Sequence, residues 1–223
     1  KKFAGVPMPK IVFWGDSITA GAGADAWYTN WIYQFADTLQ LTRGSMFGRG
    51  YVAVNDAGTP AGWTAENKGI NQYRAFSTSA SLTVQQHQFA DRTVDILYSK
   101  ETDGGVFDIT IDGAVVASGN CSGTTSFGNK LTINVPKGKT FVIAPKGKTY
   151  IEGYIYYKYG GTADGILVHK IGHGGFAAEQ FSDAEINATI KTFKPDLTCI
   201  GHIVNDVGLQ TPKTYRAKIE TAI

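Results

Sequence analysis

The spacing of apolar residues changes period twice along this chain, and no other feature restricts its fold so much. Ile11-Val12-Phe13-Trp14 is a continuous apolar run, the pattern of a strand buried on both faces. Trp27, Trp31, Ile32, Phe35, Ala36 and Leu39 then fall at helical spacing, which predicts a helix over 27–39 with those side chains inward. From about Asn71 to about Gly165 the period drops to two, in runs at 81–84, 93–98, 106–111, 114–117, 131–135, 140–143 and 151–157. Turn chemistry separates them, as in Asp103-Gly104-Gly105, Pro136-Lys137-Gly138 and Lys146-Gly147-Lys148. Asp112-Gly113 between Ile111 and Ala114 is the signature of a two-residue hairpin. After Gly165 the first texture returns, with buried runs at 166–168 and 197–201 and helices expected over 177–193 and 212–223.

Strand–helix texture on both sides of an all-β stretch reads as an insertion. The organisation expected is one α/β domain made of 1–70 and 166–223, interrupted over 71–165 by a β-sandwich of jelly-roll type. Right-handed crossovers would lay the three apolar strands parallel in one sheet. The Gly- and Asn-rich stretch 44–69, with Tyr51 to Val54 as a short strand, is long for a plain connection; it is either a functional loop or part of the next module.

Composition removes several function classes. At 43% hydrophobic over 223 residues, the chain can build a substantial core. No run approaches the roughly 18 apolar residues of a membrane helix. A net charge of +2 without a basic cluster argues against a nucleic-acid partner. Lys137, Lys139, Lys146 and Lys148 are spaced by turns and read as solvated hairpin ends. Cys121 and Cys199 read as two thiols rather than a disulfide, and no spacing suggests a metal or cofactor. The chain opens Lys-Lys-Phe-Ala-Gly-Val-Pro-Met-Pro, without an initiator Met or signal-peptide core, and reads as a processed or excised segment.

Three expected strand ends carry chemistry: Gly15-Asp16-Ser17, Gly172-His173-Gly174-Gly175 and Asn205-Asp206. Parallel strands present their carboxyl ends on one edge, where open α/β sheets place their sites. Asp-Ser after a strand is also an ordinary helix cap, and Asn-Asp an ordinary turn. Taken in order, the blocks resemble those of the SGNH (GDSL-like) hydrolases: Gly15-Asp16-Ser17-Ile18 the first, Gly175 the second-block glycine, and Val204-Asn205-Asp206 the third. The resemblance implies a flavodoxin-like three-layer α/β sandwich. Ser17 would be the nucleophile that forms an acyl-enzyme. The Ser17 amide, the Gly175 amide and the Asn205 side chain would form the oxyanion hole. Asp16 and Asp206 would brace their loops, and His173 and His202 would be candidate substrate contacts. With its inserted jelly roll the chain resembles esterases of acetylated polysaccharides. The expected partner is therefore an acetylated polysaccharide or a small acyl ester, met outside the cell, at a cell surface or on a phage tail. Asn71, Tyr73 and the 154–159 tyrosines are either a wall for that substrate or sandwich filler.

Two departures from the family pattern stand out. Ile203 occupies the usual third-block glycine position, and the fourth block, Asp-x-x-His, is absent. His87, expected in the β-module, and His169, expected at the end of the 166–168 strand, are poor substitutes. The resulting expectation is an incomplete SGNH domain whose Asp/His pair comes from a C-terminal continuation or separate fragment. The alternative is a catalytically inactive carbohydrate-binding module on a degenerate SGNH scaffold.

Overall fold

The computed structural model describes residues 9–23, 30–43, 50–56, 58–84, 92–158, 166–177, 191–201, 205, 211, 213, 214, 216, 217 and 220. In chain order the elements are β1 (Lys10–Gly15), α1 (Ser17–Ala20), α2 (Trp31–Arg43), β2 (Gly50–Ala53), β3 (Thr64–Glu66), β4 (Arg74–Ser77) and β5 (Leu82–Val84). There follow β6 (Arg92–Lys100), β7 (Val106–Ile111), β8 (Ala114–Asn120), β9 (Ser126–Val135), β10 (Phe141–Lys146), β11 (Thr149–Lys158), β12 (Leu167–Gly172) and β13 (Leu197–Gly201). Contacts divide the chain into one unit of Lys1–Gly50 with Ala163–Ile223 and a second of Tyr51–Thr162.

The first unit is built on a parallel sheet of order β12-β1-β13. β1 lies between its two partners, Ile11 opposite Val168 on one side and Leu197 on the other. Alternation along the strands gives the sheet two apolar faces. On one face Phe13 and Val168 pack with Ile32 and Ala36 of α2, with Ile11, Ile166 and Cys199 at the margin. On the opposite face of β12, His169 meets Phe193, in a helical stretch at 191–193, with ring centres 4.5 Å apart. α2 begins at Trp31 because Asn30 caps it: Asn30 Oδ1 accepts the Ile32 N–H at 2.9 Å. Ile32 and Ala36 are buried as expected and Tyr33 joins them, whereas Trp31 is 47% and Phe35 38% exposed. Both still lean edge-on against Phe13, at 5.2 and 5.3 Å. Of the two later helices expected, 178–190 and much of 212–223 lie outside the described residues, as does Trp27.

The second unit is a two-sheet β-sandwich. One sheet has the order β5-β10-β7-β8, the other β3-β4-β11-β6-β9, with β2 also paired to β11. Phe107, Ile109, Phe141 and Ile143 of the first pack with Val94, Ile96, Ile133 and Tyr154 of the second in one buried cluster. At the expected hairpin Ile111 pairs with Ala114, and Asp112 (φ 51°) and Gly113 (φ 80°) are both left-handed, as a type I′ turn requires. The texture change read at residue 71 falls inside this unit, because β2 and β3 already pair into its larger sheet. β3 and β4 carry no alternating apolar pattern. Polar pairing holds them: Arg74, 1% exposed, binds Glu66 at 2.6 Å and Glu101 at 2.7 Å, and lies 4.4 Å from the centre of the Tyr150 ring. Three of the turn lysines pair with acids, Lys139 with Asp112 and Lys148 with Asp103 in turns and Lys146 with Asp108 inside β7. Both cysteines are free thiols, Cys121 buried and Cys199 half-buried. Burial pushes the Cys121 thiol up to about 11.

Among the described residues, no helix is long and apolar enough to cross a membrane.

Candidate active site

The three strands of the parallel sheet end level with one another. Gly15 pairs with Gly172 on one side and Gly201 on the other, so a row of three glycines runs across the carboxyl edge. A Cβ on Gly15 would stand 1.9 Å from Thr19 Oγ1 and 2.5 Å from Gly201 O, and one on Gly172 2.0 Å from the Ala20 nitrogen. The bare row lets α1 sit directly on the strand ends. Ser17, half-buried, is the first residue of that turn.

Asp16 is 2% exposed, and its Oδ1 accepts the Ile18 N–H at 3.0 Å, so its carboxylate serves as the N-cap of α1. Its backbone N–H reaches Gly201 O at 3.3 Å, and the His173 N–H reaches Gly15 O at 3.0 Å. The loops after β1, β12 and β13 are thereby tied to one another at their roots. Beyond His173, Gly174 and Gly175 are exposed, and Gly175 has a left-handed φ of 80° with open space around it. The Asn205 side-chain amide donates to Phe176 O at 2.7 Å, which brings Asn205 against the loop that follows β12. The Asn205 NH2 has two hydrogens, and this bond uses one.

The His173 ring stacks on Phe176, centres 4.0 Å apart and planes 21° apart, with Nδ1 2.9 Å from Gly174 O. That distance to a carbonyl assigns the proton to Nδ1 in the neutral ring. Burial holds the imidazole below its ordinary value, against the opposing Gly174 bond. His169 is not at a strand end but inside β12, 1% exposed. Tyr154 and Tyr156, read as a possible substrate wall, are 5% and 9% exposed and belong to the sandwich core; Asn71 is 3% exposed. His87, Tyr159, His202 and Asp206 lie outside the described residues. Among the described residues no cluster of three His, Cys, Asp or Glu side chains is placed for a metal ion.

Two residues near Ser17 escaped the sequence reading. Asn30 caps α2 and donates to Thr19 O at 3.5 Å. Lys170, 8% exposed in β12, donates from Nζ to Ala20 O at 3.0 Å. The signals were an Asn just ahead of a helical stripe and a charge within a buried run, which must find a partner.

A small parallel α/β sheet with its chemistry-bearing loops on the carboxyl edge, together with a separate antiparallel β-sandwich, defines the class of fold. Neither a protein-family model nor a curated protein sequence matches this chain. Among solved structures, the chain is similar to that of a peptidoglycan O-acetylesterase, with a TM-score of 0.70 at 17% identity, over 97% of this chain and 63% of the other. It therefore shares that fold and spans less than two thirds of that protein's length. Partial likenesses are a carbohydrate-binding domain, CBM36-1, of a multidomain xylanase from the hindgut metagenome of Trinervitermes trinervoides and the CsCBM6-3 module of Clostridium stercorarium. The first has a TM-score of 0.37 at 15% identity, over 49% of this chain and 97% of the domain. The second has 0.34 at 12%, over 44% and 84%.

Proposed function

We propose that this chain carries most of a serine esterase of the SGNH type, which removes O-acetyl groups from a polysaccharide through an acyl-enzyme on Ser17. The observation that carries the reading is the level glycine edge, which sets Ser17, the Gly174–Gly175 loop and Asn205 on tied neighbouring strand ends. Ser17 attacks the ester carbonyl, and its own amide, the Gly175 amide and the second Asn205 N–H receive the developing oxyanion. Asp16, engaged with Ile18, braces the nucleophile turn rather than moving its proton, and the family resemblance gives Asp206 the corresponding role. His173, stacked on Phe176, and His202 are the candidate substrate contacts. The general base and its carboxylate partner come from polypeptide outside these residues. The sheet order β12-β1-β13, with helical residues on both faces, supports the flavodoxin-like three-layer sandwich. The β-sandwich is then its inserted jelly-roll module.

Substrate class rests on the fold shared with a peptidoglycan O-acetylesterase and on a chain poor in charge and rich in Tyr, Asn and Gly. Such a protein works outside the cell, on a cell surface or in a phage tail. The test is acetate release by the complete native protein from O-acetylated peptidoglycan, acetylated xylan and capsule, set against long-chain acyl esters. Acetylated glycans are expected to be preferred, with an acetyl adduct on the peptide containing Ser17 by mass spectrometry. Preference for the long-chain ester, or no serine-dependent turnover, overturns the reading; the latter leaves a carbohydrate-binding scaffold.

A further inference from the structure

The turn that presents Ser17 is four residues long, Ser17–Ala20. The last four carbonyls of a helix lack partners within it, and so short a helix does not form unaided. All four of these carbonyls are nevertheless bonded. Ser17 O accepts from the Gly21 and Ala22 amides at 2.9 and 2.8 Å, and Ile18 O from Gly21 at 3.2 Å. Those contacts follow from the left-handed Gly21 that ends the turn (φ 109°). The remaining two come from elsewhere in the unit: Asn30 supplies Thr19 O, and Lys170 supplies Ala20 O.

Lys170 is an unexpected residue for its position. β12 is buried along its whole length, and an ammonium there costs free energy that a Val or Ile would not. Its Nζ ends 3.0 Å from Ala20 O and 5.0 Å from the centre of the Tyr33 ring of α2. A cation at the carbonyl end of a helical turn complements the partial charges exposed there. Gly172, two residues on, is bare where Ala20 packs on the strand end, so the same strand both admits the turn and grips it.

We propose that Lys170 is a positioning residue for Ser17, fixing the far end of the nucleophile turn so that the Ser17 hydroxyl and amide stay directed along the sheet edge. The inference rests on the reading of Ser17 as nucleophile. It is tested on the complete native protein with a fluorophosphonate probe, following the label at Ser17 by mass spectrometry, with melting temperature and amide exchange measured alongside. Lys170→Met keeps an aliphatic stem and removes the donor. It is expected to slow labelling at least tenfold and to speed exchange at Gly21 and Ala22, with β1 protection unchanged. Lys170→Arg, which restores a cationic donor, is expected to recover much of the rate, whereas a merely space-filling role would favour Met over Arg. If Lys170→Met does not fold, Lys170→Gln, one atom shorter and uncharged, is expected to slow labelling in the same direction. Labelling of Lys170→Met at the wild-type rate overturns the role of the lysine alone. A wild-type protein that takes no label at Ser17 overturns the nucleophile reading and the lysine's role with it.

Discussion

In the α/β unit, buried polar side chains serve the backbone, whereas in the β-sandwich they mostly serve one another. Asp16 binds the Ile18 amide, Asn30 the Ile32 amide and Thr19 carbonyl, Lys170 the Ala20 carbonyl and Asn205 the Phe176 carbonyl. In the sandwich, Arg74 binds Glu66 and Glu101, Asp108 takes Ser118 and Lys146, and Asp95 takes Thr132 and Tyr157. Long antiparallel ladders satisfy their own backbone, which frees side chains to pair across strands. Short parallel strands that end in irregular loops leave amides and carbonyls for side chains to satisfy. Removing a polar group should therefore disturb geometry at the site in the first unit and stability in the second.

The largest expected effect separates the two most sharply. Ser17→Ala should lower ester turnover of the complete protein by roughly 10⁴–10⁶-fold, the scale of losing a serine nucleophile, with an unchanged melting temperature. Asn205→Ala should cost about 2–4 kcal/mol of transition-state stabilisation as one oxyanion donor is lost. A kcat that survives either change would break the comparison on the α/β side.

Arg74→Met is the counterpart in the sandwich. It leaves two carboxylates beside a buried gap, and truncating one partner of a buried ion pair costs about 3–5 kcal/mol. Glu66 and Glu101 keep 28% and 14% side-chain exposure, so the lower end is expected. Urea unfolding, with amide exchange in β4 and β11 set against β1, measures it.

Glu152 sharpens the contrast, because with Ser77 and Thr149 it is among the buried sandwich side chains that bind backbone. It is fully buried in β11 and serves backbone, taking the amides of Ile70 at 3.2 Å and Gly128 at 3.1 Å, with the Ser99 hydroxyl on its other oxygen. Burial raises its pKa, partly offset by those bonds. A carboxyl raised in the folded state binds its proton more tightly there than in the unfolded chain. Its contribution to stability is full below the ordinary value of 4.5 and lost as pH rises through the raised one. Glu101 runs the other way: the Arg74 and Thr125 bonds outweigh burial and lower its pKa, so its contribution is lost as pH falls through the lowered value. Glu152→Gln should remove the downward slope of stability on the higher-pH side and leave the acid limb in place. Urea midpoints across pH check this; an unchanged high-pH slope would show that Glu152 does not set it.

The smallest effect compares two glycines. Gly113→Ala enters open space but at a φ of 80°, a conformational cost of about 1 kcal/mol. Gly172→Ala meets Ala20 backbone at 2.0 Å, so it should shift the Ser17 turn and reduce turnover more than it reduces stability. Thermal melts and ester assays on the two variants separate a turn penalty from a site penalty.

Hydrophobic period was enough to locate most of the strands. β7 and β13 fall on the predicted limits, and the Asp112-Gly113 hairpin closes at the predicted residues. Period cannot see β3 and β4, whose Thr-Ala-Glu and Arg-Ala-Phe-Ser are held by a buried guanidinium and its carboxylates. It also misjudged α2, where Trp31 and Phe35 match the helical spacing yet lie at the flank of the buried stripe. At the site, the glycines and Ser17 stand out as local motifs. Lys170 does not, because its partner Ala20 is 150 residues away in sequence.

The pairing of Lys10 with Leu167 has a consequence for how the chain is made. On a ribosome β1 emerges first, and its first sheet partner follows only after roughly 150 residues, or ~10–30 s at ordinary elongation rates. Throughout that interval Ile11 to Trp14 is an apolar strand with no ladder to join, the kind of segment that chaperones bind and aggregates recruit. The Tyr51–Thr162 unit has all its sheet partners within its own span and can form meanwhile. Its completion would replace a long flexible loop with a folded body and shorten the search of β12 for β1. In refolding, recovery of amide protection in β1 after recovery of sandwich structure is the kinetic mark of that order.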